Sequence, residues 1–182
     1  MASRYTEVVI LCEDAAHGNF VRRYLIHSGI ERRRIRVNMS PSGRGAGTKY
    51  VVEKYPLEVK ALHSRSYLRA GLVVVIDADI SRVDERLQQF KNSLVQDGQS
   101  DRNATDRIAL LVPKRNVETW IFYLLGNEAN EEDNYKNRVS SSDIKEAVAA
   151  FANRCPQKAN EISLPSLRHA CDELTAFRTR GN

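Results

Sequence analysis

The chain has 182 residues, of which 42% are hydrophobic and 28% are charged, a composition typical of one globular domain, or of one domain with a small appendage. Long disorder and collagen-like structure are excluded, and a core of ordinary size can form without structural metal or disulfide bonds. The formal net charge is +5, and residues 1–70 hold 13 Lys and Arg against six Asp and Glu, which favours a polyanionic partner such as nucleic acid.

The first half of the chain alternates β-forming runs with amphipathic stretches. Strands are predicted at residues 7–12 and 34–39, and helices at residues 19–28 and 50–63. Because proline lacks an amide hydrogen, Pro56 is expected to kink the second of these helices or to begin it afresh.

The same alternation continues in the second half. The continuous β-branched run at residues 72–76 is typical of a strand buried on both faces of a parallel sheet. A helix is predicted at residues 83–94, a strand at 108–112, and a helix at 117–125 whose Trp120 is expected to lie in the core. This order of elements predicts an α/β fold with a mostly parallel four-stranded sheet sandwiched by helices.

The last part of the chain has a different character. Residues 127–137 are acidic and polar, which indicates an exposed loop, and apolar stripes predict two helices, at residues 142–151 and 164–177. We therefore expect an α/β domain at residues 1–126 and a helical C-terminal extension at residues 127–182 that packs on it.

The composition predicts a cytoplasmic protein without membrane contact. The longest apolar run, at residues 72–76, is far shorter than the roughly 18 residues of a spanning helix. An early apolar run is ended by acidic residues, so no signal peptide is expected. The three cysteines lack the spacing of a zinc ribbon or a disulfide framework and are predicted to be reduced thiols. They are Cys12, Cys155 and Cys171.

Acidic side chains follow the predicted strands. In an open α/β sheet, ligands bind at the carboxyl ends of the strands. The acidic residues near those ends are Glu13, Asp14, Asp77, Asp79 and Glu118. Converging carboxylates raise one another's pKa values unless a cation lies between them. Since oxygen ligands favour hard cations, this pattern predicts a site for Mg²⁺ or Mn²⁺.

The spacing of Asp77 and Asp79 supports this interpretation, because both side chains leave an ideal strand on the same face and can bind one ion or straddle two. Alone, a DxD pattern is a weak signal, since it also occurs in glycosyltransferases, in phosphatases and in turns. The alternative is a structural one, in which Asp79 or Ser81 caps the helix that follows.

These motifs resemble a known family. The segment VVILCEDAAHGNFVRRYL, followed later by LVVVIDAD, is similar to a Toprim domain, most closely to the branch found in OLD-type (overcoming lysogenization defect) nucleases and related small bacterial phage-defence proteins. Residues 113–120, PKRNVETW, resemble the P-x-x-x-x-E-x-W stretch of that branch. The resemblance covers about residues 6–125 and implies metal-dependent phosphodiester chemistry on DNA or RNA.

The resemblance also implies roles for individual residues. Glu13 would be a metal ligand or a general acid or base, and Asp77 and Asp79 would bind the metal. Glu118 would match a later acidic residue of the family. The two basic residues available to meet a phosphate are Lys114 and Arg115.

The first motif departs from the family pattern. The branch often reads E-G-x-[ST]-E, whereas here His17 stands where a second carboxylate is usual and Asp14 replaces the glycine. Three possibilities follow: a single-metal site, a site in which His17 is a ligand or a base, or a site that has lost its activity. Outside the family pattern, His17 could simply be a solvated residue in the first turn of a helix.

A glycine-rich loop at residues 40–49 is the candidate contact to nucleic-acid backbone. Its glycines allow close approach to a phosphate, and Arg44 and Lys49 add positive charge. The GK[ST] ending of a Walker A loop is missing, and a mobile linker is the alternative. The run at residues 32–34, three consecutive arginines, is expected to be a solvated turn at the opposite edge of the sheet.

Together these features predict a Mg²⁺-dependent nuclease subunit that works with nucleic acid and with a larger ATPase or other protein, in a phage-defence setting that the resemblance alone implies. The alternative is a non-catalytic nucleic-acid-binding or sensor subunit with a degraded Toprim site. A phosphotransferase of the acid-nucleophile type is disfavoured, because that class carries its DxD on the first strand.

Overall fold

A computed structural model describes residues 5–41 and 47–180. It contains one sheet of four strands, all parallel, in the order β2-β1-β3-β4. The strands are β1 (Glu7–Cys12), β2 (Ile35–Met39), β3 (Ala70–Val75) and β4 (Ile108–Leu111). The predicted α/β architecture with a four-stranded parallel sheet is confirmed.

Six α-helices surround the sheet in the described part of the chain. They are α1 (Ala15–His27), α2 (Gly47–Ser64), α3 (Val83–Gln96), α4 (Val117–Leu124), α5 (Ile144–Arg154) and α6 (Pro165–Arg180), and three 3-10 turns lie at Arg32–Arg34, Lys136–Arg138 and Ala159–Glu161. Helix α1 begins earlier than predicted, because Asp14 caps it by accepting the amide hydrogens of Ala16 and His17. Helix α2 runs through Pro56 without ending, so the predicted restart there is wrong.

The helices cover both faces of the sheet. Alternate residues of β1 face opposite sides: Val8 and Ile10 pack with α1, α4, α5 and α6, whereas Val9 packs with α2 and α3. Because each face is covered, the strands are apolar throughout, as parallel strands in α/β proteins generally are. Trp120 is fully buried and its indole N–H donates to Ser166 Oγ at 2.8 Å, which confirms its predicted place in the core.

The C-terminal helices are part of this core. Phe177 of α6 is fully buried and stacks on Tyr5, with ring centroids 4.8 Å apart, and its carbonyl oxygen accepts the Tyr5 hydroxyl at 2.7 Å. Gly71 of β3 lies beneath this stack, where a Cβ atom would stand 2.6 Å from the Phe177 ring and 2.8 Å from the Tyr5 ring.

Replacing Gly71 with alanine is therefore expected to destabilise the protein. An added methyl group collides with two rings that are themselves packed, and overfilling a core typically costs about 1–3 kcal/mol. Urea unfolding should show a lower free energy of unfolding for Gly71→Ala. Gly98→Ala is no suitable control because Gly98 has a φ of 74°. The control is Lys54→Ala at an exposed position on α2, which should change the free energy of unfolding by less than about 0.5 kcal/mol. A wild-type midpoint for Gly71→Ala would show that the rings move aside at no cost.

A second set of interactions, a salt bridge and a hydrogen bond, holds α6 against the sheet. Arg102 donates two hydrogen bonds to Glu173, at 2.6 and 2.8 Å, and Glu173 also accepts the amide hydrogen of Leu110 in β4 at 2.9 Å. Partial burial alone would raise the pKa of Glu173, but the Arg102 guanidinium outweighs burial and lowers that pKa below its ordinary value.

Glu173→Gln should lower the free energy of unfolding by roughly 2–4 kcal/mol at pH 7, because it leaves the Arg102 charge without its partner in a mostly buried position. Since the native pKa of Glu173 is depressed, its contribution is present above the ordinary pKa of glutamate and is lost as pH falls below it. Unfolding curves from pH 7 to pH 3 should therefore converge for the two proteins. The control is Asp172→Asn, which removes an exposed carboxylate from the neighbouring position on α6. A difference in free energy of unfolding between the wild type and Glu173→Gln that stays constant at all pH values would contradict the stabilising role of the Glu173 charge.

The cysteines differ from the prediction. Cys155 and Cys171 form a disulfide with a Cα–Cα distance of 5.6 Å, so the expectation of three reduced thiols is wrong. The pairing follows from the packing of the α5 C-terminus against α6, which sequence spacing does not reveal. Cys12 is free and buried, and burial raises the pKa of its thiol to about 12. Among residues 5–41 and 47–180, no helix combines the length and apolar character needed to cross a membrane.

Candidate functional site

The strand order creates a crevice at one edge of the sheet. The chain leaves β1 toward β2 on one side and returns to β3 on the other side of β1. Helix α1, which follows β1, covers one face, and α3, which follows β3, covers the opposite face. Such a switch in strand order opens a ligand-binding crevice at the carboxyl ends of the strands. Glu13 directly follows β1 and Asp77 lies just beyond β3, so both stand at this crevice.

Glu13 joins three elements of the crevice. Its Oε1 atom accepts the amide hydrogen of Asp77 at 2.9 Å and the hydroxyl of Thr48 at 3.1 Å. The first residue of α2, Gly47, approaches so closely that a Cβ atom there would lie 3.0 Å from Glu13 Cβ. Burial raises the pKa of Glu13, and the nearby charge of Asp77 raises it further, which outweighs the lowering by His17 and by the two hydrogen bonds.

His17 is fully buried between two carboxylates. Its Nε2 atom lies 2.8 Å from Asp77 Oδ1, and its Nδ1 atom lies 2.8 Å from Asp14 Oδ1. Burial opposes the charged imidazole, but the adjacent carboxylates overcome that effect and raise the pKa of His17 well above its ordinary value. Both ring nitrogens of His17 face carboxylate oxygens, an arrangement that fits an imidazolium donating to Asp14 and Asp77. The alternative in which His17 is a solvated first-turn residue is wrong.

Asp14 has a double role that its sequence position only partly indicated. One oxygen, Oδ1, accepts two backbone amides in the first turn of α1 as well as the His17 ring N–H. Partial burial works against ionisation, yet these hydrogen bonds and the His17 charge lower the pKa of Asp14 to about 2. Asp14, His17 and Asp77 therefore form a carboxylate–imidazolium–carboxylate chain that links α1 to the end of β3.

Asp79 lies on an unusual backbone. Its φ of 53° is in the left-handed region, which aspartate tolerates better than most residues but which still costs free energy. The amide hydrogen of Ala78 is held by the Pro113 carbonyl at 2.8 Å. The N-cap of α3 is Arg82, whose amide hydrogen is accepted by Glu85 at 2.9 Å. The alternative in which Asp79 or Ser81 caps α3 is therefore wrong.

Glu118 is the fifth of the predicted carboxyl groups. It lies in the first turn of α4 and is half-buried. Burial raises the pKa of Glu118, and the charge of Asp77 raises it further. The predicted phosphate contacts Lys114 and Arg115 lie in the turn before α4, where the Lys114 amide hydrogen is donated to Ser166 Oγ at 3.2 Å. Neither side chain lines the cleft next to Glu13.

That cleft, of about 690 Å³, opens between the carboxylates and the start of α2. It is lined by Glu13, Gly47, Thr48, Lys49, Val52, Glu53, Asp79, Arg86 and Gln89. The Lys49 side chain is exposed, and its Nζ atom lies 3.7 Å from Glu53 Oε1. Arg86 donates to Gln89 at 3.0 Å, while its buried Nε atom has no hydrogen-bond partner among the described residues. The other predicted cation, Arg44, lies outside the described residues.

Sequence reasoning missed two groups of this cleft. Thr48 binds Glu13 through its hydroxyl, and nothing in its position suggests this before α2 is known to begin at Gly47. Arg86 lies on the amphipathic helix α3, and no motif distinguishes it from the other charged residues of that helix.

Two carboxylates at the crevice each keep one oxygen without a hydrogen-bond donor among the described residues. Within the described ranges, no group of three His, Cys, Asp or Glu side chains is arranged to hold a metal ion. Glu13 Oε2 and Asp77 Oδ2, however, accept no hydrogen bond from any described residue, whereas the other oxygen of each side chain is occupied. Mg²⁺ in proteins commonly uses one or two carboxylates, several waters and a substrate phosphate. Glu13 and Asp77 are two carboxylate residues at this crevice.

Comparisons with known proteins found no relative of this chain. No protein-family model matches the chain, and neither curated proteins nor solved structures give a match. The resemblance to Toprim domains therefore rests on its short motifs alone.

Proposed function

We propose that the protein is a Mg²⁺- or Mn²⁺-dependent phosphodiesterase that acts on nucleic acid. The observation that supports this most is the placement of Glu13 and Asp77, which are joined by a hydrogen bond at the crevice between β1 and β3 and each retain a free carboxylate oxygen. Crevices of this kind are where α/β proteins bind their ligands.

The electrostatics of the cluster favour a cation. The pKa values of Glu13 and Glu118 are raised, first by burial and then by the charge of Asp77. A divalent ion beside these groups would relieve that repulsion. Once bound, such an ion would polarise a phosphate and lower the pKa of a water molecule. His17, which Asp14 holds through its other ring nitrogen, contacts Asp77 Oδ1 and fixes the rotamer of Asp77, whose second oxygen accepts no hydrogen bond from a described residue.

The cleft supplies the groups that a phosphodiester needs. Arg86 and Lys49 bind phosphate oxygens, and the unpartnered Nε of Arg86 gains an acceptor when a phosphate is present. Glu118 has a raised pKa but does not line this cleft, so no proton transfer is assigned to it.

A cleavage assay tests the proposal. The purified protein is incubated with supercoiled plasmid, single-stranded DNA and RNA in EDTA, in Mg²⁺, in Mn²⁺ and in Ca²⁺, and the products are separated on gels. Cleavage of at least one polymer with Mg²⁺ or Mn²⁺, and none in EDTA, is the expected result. Intact polymers in every metal would overturn the proposal.

One observation favours a second candidate, a non-catalytic nucleic-acid-binding or sensor subunit. The His17 imidazolium already neutralises part of the charge of Asp77 and Asp14, so the cluster is compensated without a metal. This candidate predicts nucleic-acid binding that EDTA does not change and no cleavage under any condition. Isothermal titration with Mn²⁺ separates the two, because only the phosphodiesterase requires a cation to bind at Glu13 and Asp77.

A further inference from the structure

A second charged surface lies on the outer face of α1, away from the carboxylates. Asn19, Arg22, Arg23 and Ile26 follow the spacing i, i+3, i+4, i+7, so they share one helix face. With Arg32 of the first 3-10 turn, they line a groove of about 200 Å³. We call this the arginine groove. No carboxylate lines it.

The three arginine side chains of the groove have no partner in the part of the chain that the structure describes. Among residues 5–41 and 47–180, none of the side chains of Arg22, Arg23 and Arg32 makes an ion pair or a hydrogen bond, whereas Arg33 and Arg34, next in the chain, both pair with Glu31. The Nε atom of Arg22 is buried and still lacks an acceptor. A buried donor without an acceptor is costly, and an anion in the groove removes that cost.

We infer that the arginine groove binds the phosphate backbone of the nucleic acid that reaches the candidate site. This inference rests on the proposed function, since it names the path of the same polymer. Planar guanidinium groups match phosphate oxygens in a bidentate manner. A membrane surface is disfavoured, because a membrane-bound helix presents a broad apolar face, and the groove contains only Ile26 as an apolar residue.

The position of the groove fits a polymer that extends from the site. Helix α1 begins at Ala15 beside the carboxylates, and its 13 residues span about 20 Å. The groove starts at Asn19, about one turn into the helix, and continues to Arg32 beyond its end. The cleft is lined from α2 and α3, and α1 covers the other face of the sheet. A strand of nucleic acid with one phosphate at the cleft therefore reaches the groove by crossing the carboxyl edge of the sheet.

The test measures binding and its salt dependence in EDTA, so that no cleavage occurs. Fluorescence anisotropy follows a labelled DNA duplex, its single strand and an RNA of the same sequence between about 50 and 200 mM salt. Three proteins are compared: the wild type, the triple variant Arg22→Gln, Arg23→Gln, Arg32→Gln, and a control, Lys60→Gln, Lys91→Gln, Lys145→Gln, which removes the same charge from exposed positions on other helices.

For the duplex, the slope of log K against log salt should become shallower by about 2.7 in the arginine variant, because each phosphate contact contributes about 0.9. The lysine variant should retain the wild-type slope. Equal changes in both variants, no change in either, or a wild type that binds anionic lipid vesicles but no nucleic acid would overturn the inference. Thermal unfolding of each variant verifies that it is folded.

The result separates the groove from the proposed catalytic function. Groove-dependent binding without metal-dependent cleavage would support the inference about the groove and contradict the phosphodiesterase proposal. Metal-dependent cleavage that is equally fast in the arginine variant would support the phosphodiesterase proposal and contradict the inference about the groove. Where cleavage occurs, the arginine variant should raise KM for a polymer and leave hydrolysis of bis(p-nitrophenyl) phosphate unchanged, because that small diester does not reach α1.

Discussion

Replacing Asp77 with asparagine is expected to reduce metal-dependent cleavage at least about 100-fold in kcat/KM, because a lost metal contact removes several kcal/mol of transition-state stabilisation. Asparagine has nearly the same shape, and its carbonyl oxygen can still accept the His17 Nε2–H. The fold should therefore survive, while the negative charge that attracts the cation is lost.

The measurement is kcat/KM on the polymer that the wild type cleaves best, together with Mn²⁺ affinity by isothermal titration. Both quantities should fall in Asp77→Asn. Asp172→Asn on α6 removes an equal charge from an exposed position and serves as the control. Undiminished cleavage by Asp77→Asn would show that Asp77 has a structural role only, and cleavage by neither variant nor wild type would favour the sensor candidate.

The second large effect is expected at His17. In His17→Gln the buried Asp77 carboxylate loses its charged partner, and the link to Asp14 is broken. Removing one member of a buried ion pair typically costs about 3–5 kcal/mol, so the free energy of unfolding should fall by that amount. Urea unfolding measures it. His27→Gln, an exposed histidine at the end of the same helix, should change stability by less than about 0.5 kcal/mol.

The same variant discriminates between the two candidate functions. Without the imidazolium, the carboxylate cluster has a stronger negative potential, so a cation that binds there should stabilise His17→Gln more than it stabilises the wild type. The shift of the unfolding midpoint on adding Mg²⁺ reports this difference. If Mg²⁺ shifts the unfolding midpoint of neither protein, the carboxylate cluster does not bind the ion, and the proposal of a metal-dependent phosphodiesterase is contradicted.

The architecture was predictable because its signals are local. The strand at residues 7–12 was predicted with the bounds that the structure has, and the run at 72–76 is buried on both faces as expected. In parallel strands all carboxyl ends meet at one edge of the sheet. The placement of Glu13 and Asp77 at one edge therefore followed from the order of the elements, whereas the pairing of β1 with β3 that makes them neighbours is seen only in the structure.

The chemistry around His17 was not predictable in the same way. The burial of His17 depends on how closely α1 packs on the sheet and against the end of β3. The sequence does not specify the distance between these elements. Arg86 enters the cleft because α3 crosses the face of the sheet opposite to α1. The disulfide between Cys155 and Cys171 likewise requires two helix ends to meet. Each of these contacts joins segments that are far apart in the chain.

The stacking of Tyr5 on Phe177 has a practical consequence. Tyr5 precedes β1 and Phe177 lies near the end of α6, so the first and last described segments run side by side at the amino edge of the sheet. The six residues of β1 separate that edge from Glu13 by about 20 Å. A surface tether or fluorophore attached at either of these segments would therefore leave the crevice facing solution and the carboxylates undisturbed.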